Sequence, residues 1–324
     1  MSALFSPIEV KGVRFKNRVA MPPMVTLKAD AEGCVTDVIV EHYAARARAG
    51  TGLVIVEATA VESGAVWRGG LAAFEGTHAP GLARLAERIH REGAVAAIQL
   101  VHGGPQASVE VTDGKRVGPS AVTPPDDGPI PRELAVEEIE AIEGSFVKAA
   151  ERAIEVGFDG AEIHGAHNYL LDTFLSAKYN VREDGYGGSI RGRMRMLVET
   201  CRRAKERIGD RGLVWCRISI FNKLEEGFGR DELQELAPGL EETGIDMLHI
   251  STDGTFKEHF DSGKSIGQLV QGLCNLPVIV AGGLGDPADA ERAVAEGHCD
   301  FAAVGNAMYE DARWTERARR TLEV

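Results

Sequence analysis

Cysteine is scarce in this chain, and its few cysteines form no metal-binding pattern. There are five among 324 residues, an odd number without a Cys-x-x-Cys pair. Disulfide frameworks, zinc ribbons and iron–sulfur clusters depend on such pairs or clusters. We therefore interpret the cysteines as reduced, small core residues that take no part in the chemistry. They are Cys34, Cys201, Cys216, Cys274 and Cys299.

Long apolar runs and an excess of positive charge are also lacking. The longest apolar runs, such as 52–56, are far shorter than the roughly 20 residues that cross a bilayer. Segment 1–15 carries Glu9, Lys11 and Arg14 and has no uninterrupted apolar stretch like that of a secretory signal. The 36 basic and 49 acidic side chains give a net charge of −13, which disfavours binding to nucleic acid or anionic membranes. We expect a cytoplasmic protein without nucleic-acid or membrane partners.

Short β-branched runs alternate along the chain with amphipathic helical patterns. Hydrophobic residues make up 44% and charged residues 26%, a balance typical of globular proteins. In one helical pattern Ile139 and Ile142 begin an apolar stripe; in another, Leu233 and Leu236 follow Asp231, which we interpret as the N-cap. The runs that indicate buried parallel strands are 18–21, 53–56, 95–100, 160–163, 213–218, 246–250, 277–281 and 301–304.

About eight strand–helix units predict the α/β class and a (β/α)8 TIM barrel, formed by a single domain over 1–324. A doubly wound open sheet is the alternative. The interval between the third and fourth strands is long and contains the proline-rich segment 105–131. We expect an extended excursion there, on the carboxyl-terminal face of the barrel, where ligand sites form.

Two histidines and a tyrosine follow the fourth predicted strand. His164 and His167 are three residues apart and Tyr169 comes two residues later, so all three could face the mouth of the barrel. Each histidine could be a packing residue. The pair could instead hold a metal, with a third ligand from His102 or Glu57, because a catalytic zinc site has three protein ligands. Alternatively, both imidazoles could donate to one carbonyl oxygen.

Seven segments are similar, in the same order, to the motifs of one family. The chain resembles the Old Yellow Enzyme family of FMN-dependent ene reductases and NAD(P)H:flavin oxidoreductases. This resemblance implies non-covalent FMN, with NAD(P)H as the electron-donating co-substrate. The segments are LFSPIEVKGVRFKNRVAMPPM, GLVIVEA, AAIQLVHGG, AEIHGAHNYLLDTFLS, NVREDGYGGS, VIVAGG and DFAAVGN.

The resemblance implies a role for residues at the ends of several strands. Gln99 matches a residue that hydrogen-bonds the pyrimidine edge of the flavin, and Arg217 matches an arginine beside its N1 and O2 atoms. A guanidinium there stabilises the negative charge of the reduced flavin. Loops after the seventh and eighth strands commonly bind a phosphate. The other implied cofactor-binding residues are Pro22, Pro23, Met24, Val25, Ala58, Gly282, Gly283, Gly305 and Asn306.

The sequence departs from the family pattern at three positions. Val25 stands where relatives carry a threonine or cysteine that touches flavin O4, so one hydrogen bond is lost. Leu27 replaces a substrate-contacting tyrosine of some relatives. Asn306 occupies the position of the usual phosphate-binding arginine, which leaves less positive charge to hold the phosphate.

The implied activity is hydride transfer from NAD(P)H through FMN to the C=C bond of an activated alkene, with ping-pong kinetics. His164 and His167 would bind the carbonyl oxygen, and Tyr169 would protonate the α-carbon. The chain ends at Val324 without a cysteine cluster, so we expect electrons to come from a soluble donor. A homodimer or homotetramer fits this family. A flavin-binding redox sensor with weak reductase activity and a metal-dependent lyase or hydrolase using His164 and His167 are the alternatives.

Overall fold

The apolar β-branched runs of the sequence form strands. The computed structural model describes residues 2–65, 67–220 and 228–322. The strands in these ranges are β1 (Ile8–Val10), β2 (Val13–Phe15), β3 (Val19–Met21), β4 (Leu53–Ala60), β5 (Leu71–Ala72), β6 (Val95–Val101), β7 (Val117–Gly118), β8 (Arg132–Glu133), β9 (Gly160–Gly165), β10 (Leu213–Ser219), β11 (Met247–Ser251), β12 (Val278–Ala281) and β13 (Phe301–Ala303).

The parallel strands close into a barrel. Around it they follow the order β3, β13, β12, β11, β10, β9, β6 and β4, and β3 also pairs with β4. Each of these eight strands contains residues of one run that the sequence analysis predicted, and the short β5 adds to β4. The (β/α)8 barrel is therefore confirmed. The doubly wound alternative is wrong, because an open sheet would leave β3 and β4 as unpaired edges.

Helices connect most of the barrel strands and pack outside them, as in other barrels of this kind. None of the helices described is long and apolar enough to span a membrane. The helices are α1 (Asp37–Arg48), α2 (Ala79–Arg91), α3 (Val136–Glu155), α4 (Leu170–Leu175), α5 (Ile190–Ile208), α6 (Arg230–Glu241), α7 (Ile266–Gln271), α8 (Pro287–Ala295), α9 (Asn306–Glu310) and α10 (Trp314–Leu322).

The N-terminus of α6 differs from the prediction. Gly229, not Asp231, is the N-cap residue, and Asp231 lies in the first turn of the helix. The Glu232 side chain accepts a hydrogen bond from Gly229 N at 2.8 Å. This bond satisfies the backbone N–H of the cap residue, while both acidic side chains stabilise the positive end of the helix dipole. The helix therefore begins earlier than Asp231 alone suggested.

The barrel interior is apolar at the amino-terminal ends of the strands, and the hairpin formed by β1 and β2 closes this end. Phe15 of this hairpin is fully buried and its ring lies edge-on to Phe301 of β13, with centroids 4.9 Å apart. Water is therefore excluded from the amino-terminal end of the barrel, and polar side chains inside it lie toward the other end. The apolar residues of this region are Val10, Phe15, Ala20, Leu53, Ile55, Ala97, Leu213, Trp215, Met247, Ile279, Phe301 and Ala303.

The excursion between β6 and β9 is ordered. It contains β7, β8 and α3. Within it, buried Arg116 donates to the Ala107 carbonyl at 2.7 Å and pairs with Asp126 at 2.8 Å. Buried Arg182, from the NVREDGYGGS motif, donates to the Leu134 carbonyl at 2.7 Å and so ties the excursion to the chain after α4. The excursion leaves the carboxyl end of β6, the end at which barrels carry their binding loops.

Candidate active site

A strained turn after β9 brings the two histidines together. His164 is buried at the end of β9, and the chain then turns at His167 and Asn168, which have φ angles of +60° and +61°. This left-handed conformation is unfavourable for residues that carry a Cβ atom. His167 N donates to Ser219 Oγ at 3.1 Å, and Asn168 N donates to Asp172 Oδ2 at 2.7 Å. These hydrogen bonds hold the turn against its local preference.

The ring nitrogens of the histidines converge. His167 Nδ1 lies 3.3 Å from His164 Nε2, and His167 Nε2 lies 2.9 Å from Ser251 Oγ. Ser251 Oγ accepts from Arg217 Nη2 at 3.2 Å, so its own proton is available to His167 Nε2. When the Ser251 hydroxyl donates to Nε2, the ring proton of His167 lies on Nδ1 and can be donated to a ligand oxygen. An oxygen at hydrogen-bond distance from one of the two facing nitrogens can therefore also reach the other.

His164 is held in its neutral form. Burial lowers its pKa well below the usual value, and the charges of His167, Arg217 and His249 lower it further. A neutral imidazole carries one N–H group, which can donate to a substrate oxygen without giving up the proton. The pair is thus suited to polarising a carbonyl group through hydrogen bonds.

Tyr169 lies beside the histidine pair. Its ring centroid is 5.2 Å from that of His164, and the Trp67 ring lies edge-on to it at 5.1 Å. Burial raises the pKa of Tyr169 above its usual value. The hydroxyl therefore stays protonated at neutral pH and can act as a general acid next to a bound carbonyl compound.

Four polar side chains form a second layer inside the barrel, which we call the polar layer: Gln99, Glu162, Arg217 and His249. All four are buried. Gln99 on β6 lies opposite Glu162 on β9 and donates from Nε2 to its Oε1 at 2.6 Å. Arg217 on β10 lies between His164 on β9 and His249 on β11. The strand register therefore places Arg217 level with His164, and Gln99 level with Glu162, two residues earlier on β9.

The polar layer fits the pyrimidine edge of a flavin, which carries two carbonyl oxygens and an N–H group. Arg217 Nε is buried and has no hydrogen-bond partner among residues 2–65, 67–220 and 228–322. A buried donor without a partner costs about 1–3 kcal/mol, and a flavin carbonyl would satisfy it. Since Glu162 takes an N–H of Gln99, the carbonyl oxygen of Gln99 can accept from the flavin N–H.

The glycines after β12 and β13 fit a phosphate site. Gly283 has a φ angle of +73°, and an added Cβ would meet nothing within 4 Å, so its backbone faces open space that an anion can approach. Position 282 needs glycine for a different reason: a Cβ there would lie 2.5 Å from the carbonyl oxygen of Thr252, which is too close. Gly305 is the N-cap residue of α9, and the exposed Asn306 is its first residue.

The segment after β3 contacts the start of α9. A Cβ on Gly305 would lie 3.6 Å from both the Met24 sulfur and Pro22. Pro23 is buried, whereas the side chains of Val25 and Leu27 are 40% and 57% exposed. Val25 and Leu27, the two apolar departures from the expected family pattern, thus border the open mouth of the barrel.

Glu57 at the end of β4 holds this segment in place. Its Oε2 accepts from Thr26 N at 2.8 Å and from the Tyr43 hydroxyl at 3.2 Å. Ala58, which follows Glu57, is buried at a register shift in β4 between Val56 and Thr59.

The metal alternative has no ligand set within the ranges described. No group of three or more His, Cys, Asp or Glu side chains there is arranged to hold an ion. His102, one candidate for a third ligand, lies with Nε2 3.0 Å from Glu62 and accepts from Gly104 N at 2.9 Å. Both of its ring nitrogens are therefore engaged. The other candidate, Glu57, has its Oε2 engaged by Thr26 N and the Tyr43 hydroxyl.

Sequence reasoning missed several residues of this site. Ser219 and Ser251 are the last residues of β10 and β11, one residue beyond the predicted ends of these strands. Extending each predicted strand by one residue would have included them. Glu162 and His249 fall inside predicted strands, where alternation with apolar neighbours indicates an inward side chain. Trp67 lies in a loop, and nothing in its sequence context indicates that its ring contacts Tyr169.

Known proteins resemble this chain over nearly its whole length. The model of the NADH:flavin oxidoreductase / NADH oxidase family matches residues 3–324. An NADPH dehydrogenase of Bacillus licheniformis is 33% identical over 325 residues, which are 98% of this chain and 94% of that protein. An NADH oxidase of Thermoanaerobacter brockii is 37% identical over 329 residues, covering 98% of this chain and 50% of the relative. This chain thus spans half the length of that relative.

Solved structures agree with this assignment. An old yellow enzyme homologue from Zymomonas mobilis superposes with a TM-score of 0.86 and 25% identity, covering 99% of this chain and 92% of the other. Morphinone reductase in complex with tetrahydroNAD gives a TM-score of 0.86 and 26% identity, covering 98% and 90%. This chain therefore belongs to the NADH:flavin oxidoreductase / NADH oxidase family, of the Old Yellow Enzyme type, as its motifs predict.

Proposed function

We propose that this protein is an FMN-dependent enzyme that passes hydride from NAD(P)H to the C=C bond of an activated alkene, an α,β-unsaturated carbonyl compound. The observation that carries the proposal is the approach of His164 Nε2 and His167 Nδ1 to 3.3 Å, with the buried Arg217 beside His164 on the neighbouring strand. The names of relatives support the electron donor, since they include an NADH oxidase and an NADPH dehydrogenase, and the morphinone reductase structure contains tetrahydroNAD.

Three further features of the proposal concern the whole protein. We propose that 1–324 forms one FMN-binding domain, because the polar layer, the histidine pair and the phosphate loops all belong to one closed barrel. The homodimer or homotetramer and the cytoplasmic location expected from the sequence stay predictions.

The proposed roles follow from the positions of the side chains. When bound, FMN supplies the hydride chemistry, with the nicotinamide and the alkene using one pocket in turn, so we expect ping-pong kinetics. His164 and His167 bind the carbonyl oxygen and withdraw electron density from the alkene. Tyr169 delivers a proton to the α-carbon. Arg217 holds a fixed positive charge beside the pyrimidine edge.

An absorption spectrum of the purified protein, followed by anaerobic mixing with NADH or NADPH, tests the proposal. We expect the yellow absorption of bound flavin, before or after addition of FMN, and its bleaching by at least one of the nicotinamides. A protein that binds FMN but is not bleached would be the redox-sensing alternative. A protein that never binds FMN, and whose activity depends on an added metal, would be the lyase or hydrolase alternative.

Replacing both His164 and His167 with alanine should lower kcat/KM for 2-cyclohexenone by at least about 100-fold, because each removed oxyanion-type donor typically costs 10²–10³-fold. The FMN content should not change. A matched variant with asparagine at both positions keeps N–H donors and should retain more activity than the alanine pair. Full activity of the alanine pair would show that the histidines do not bind the substrate oxygen.

Tyr169→Phe should slow alkene reduction by roughly 10²–10⁴-fold, since it removes the general acid, while reduction of the flavin by NAD(P)H continues. Stopped-flow measurement of the two half-reactions separates these effects. Because the pKa of Tyr169 lies above its usual value of about 10, the wild-type alkene step should lose no activity through this residue until the pH rises above that value. Equal rates for wild type and variant would remove Tyr169 from the mechanism.

Asn306→Arg should tighten FMN binding by about 5-fold, because an exposed charged pair contributes up to about 1 kcal/mol. Riboflavin, which lacks the phosphate, should bind both proteins equally. Asn306→Gln is the matched control, with a longer side chain but no charge. The comparison uses fluorescence titration of the apoproteins, and a variant that tightens riboflavin as much as FMN would contradict a phosphate site at α9.

A further inference from the structure

Glu162 is a fully buried carboxylate to which the mechanism above assigns no role. Both of its oxygens accept hydrogen bonds inside the barrel. Oε1 accepts from Gln99 Nε2 at 2.6 Å, and Oε2 accepts from Trp215 Nε1 at 2.5 Å and from His249 Nδ1 at 2.7 Å. A buried carboxylate with this many donors is fixed in one orientation.

The carboxylate is ionised. Burial raises its pKa, but His249, Arg217 and the hydrogen bond from Trp215 outweigh that effect, so the pKa lies below its usual value. Burial also lowers the pKa of His249, against the opposing effect of Glu162. Arg217 supplies an opposing positive charge, since Glu162 raises the pKa of Arg217 against the effect of burial and Arg217 lowers the pKa of Glu162.

The contact with Glu162 determines which end of the Gln99 amide is available to a ligand. An amide side chain has a donor end and an acceptor end of similar shape, and nothing in its shape alone prevents a flip. A flip of Gln99 would place its carbonyl oxygen against the Glu162 carboxylate, where two acceptors repel each other. Gln99 Oε1 receives no hydrogen bond from the residues that the structure describes. It is thus the acceptor left for a ligand.

We propose that Glu162 is a positioning residue that locks the Gln99 amide with its carbonyl oxygen toward the bound flavin, so that the site selects the imide N–H of the pyrimidine edge. This inference rests on the proposed function, because it concerns the recognition of FMN. Glu162 itself acts only through Gln99.

Glu162→Gln should reverse the orientation of Gln99. Trp215 and His249 are both donors, and they will keep the carbonyl oxygen of the new amide on their side. The amide N–H of residue 162 then faces Gln99, which must flip to accept from it and present its own N–H to the ligand. Two donors would then meet at the flavin imide. We expect FMN affinity to fall by roughly 10- to 100-fold, the usual range for an unsatisfied buried polar contact.

The exchange variant Gln99→Glu with Glu162→Gln is the matched control. It keeps one carboxylate and one amide in the layer, with the same total charge. The carboxylate at position 99 can accept from the amide at position 162 through one oxygen and offer its other oxygen to the ligand. FMN affinity should recover to within a few-fold of wild type, whereas a requirement for a carboxylate at position 162 itself predicts no recovery.

The experiment is a fluorescence titration of each apoprotein with FMN, with the urea midpoint of each apoprotein measured in parallel. Weak binding by E162Q and recovery in the exchange variant support the proposal. Wild-type affinity in E162Q, or weak binding by a folded exchange variant, overturns it. If the wild-type protein itself binds no FMN, the proposed function fails instead, so the two failures are distinguishable.

A third variant tests the proposal if substitutions at position 162 prevent folding. Gln99→Met leaves Glu162 with its bonds from Trp215 and His249 and removes only the amide. It should fold with a lowered urea midpoint, because Glu162 Oε1 loses its donor, and bind FMN roughly 10- to 100-fold more weakly. Unchanged FMN affinity in this variant would overturn the proposal, because the orientation of Gln99 could then have no effect on the ligand.

Discussion

The constraint on which the upper half of this barrel depends is the burial of two opposite charges, Glu162 and Arg217, each of which shifts the pKa of the other. Both side chains are buried, and an unpaired charge in such a place costs several kcal/mol. The strand register places Arg217 level with His164, two residues beyond Glu162, and hydrogen bonds from Gln99, Trp215 and His249 satisfy the carboxylate. The closed apolar region below the polar layer keeps water out, so that fixed charges act strongly on whatever binds above.

The histidine pair adds a local strain to this rigid base. Two consecutive residues with side chains, His167 and Asn168, adopt the left-handed conformation. They do so because their backbone N–H groups donate to Ser219 at the end of β10 and to Asp172 of α4, and these bonds hold the turn. The strain therefore lies at the site that needs an unusual side-chain direction, while the barrel that supports it is regular.

The loops at the mouth of the barrel surround the site with both apolar and polar groups. Val25 and Leu27 are exposed there, and the Trp67 ring lies edge-on to Tyr169. The exposed Asn306 is the first residue of α9, next to Gly305. Arg182 of the NVREDGYGGS motif ties the excursion to the chain after α4.

The sequence by itself determined the barrel and its eight strands, because strand periodicity is a local property of the chain. Its motifs, through their resemblance to one family, also singled out His164, His167, Tyr169, Gln99 and Arg217, whose roles stay predictions. It could not determine the cap of α6, where Gly229 and Glu232 form a reciprocal contact. Only the tertiary structure decided the bond between Gln99 and Glu162, the link from Arg217 through Ser251 to His167, and the place of Trp67. Each of these contacts joins residues far apart in sequence, and their distances are set by strand register and loop packing, which no local pattern encodes.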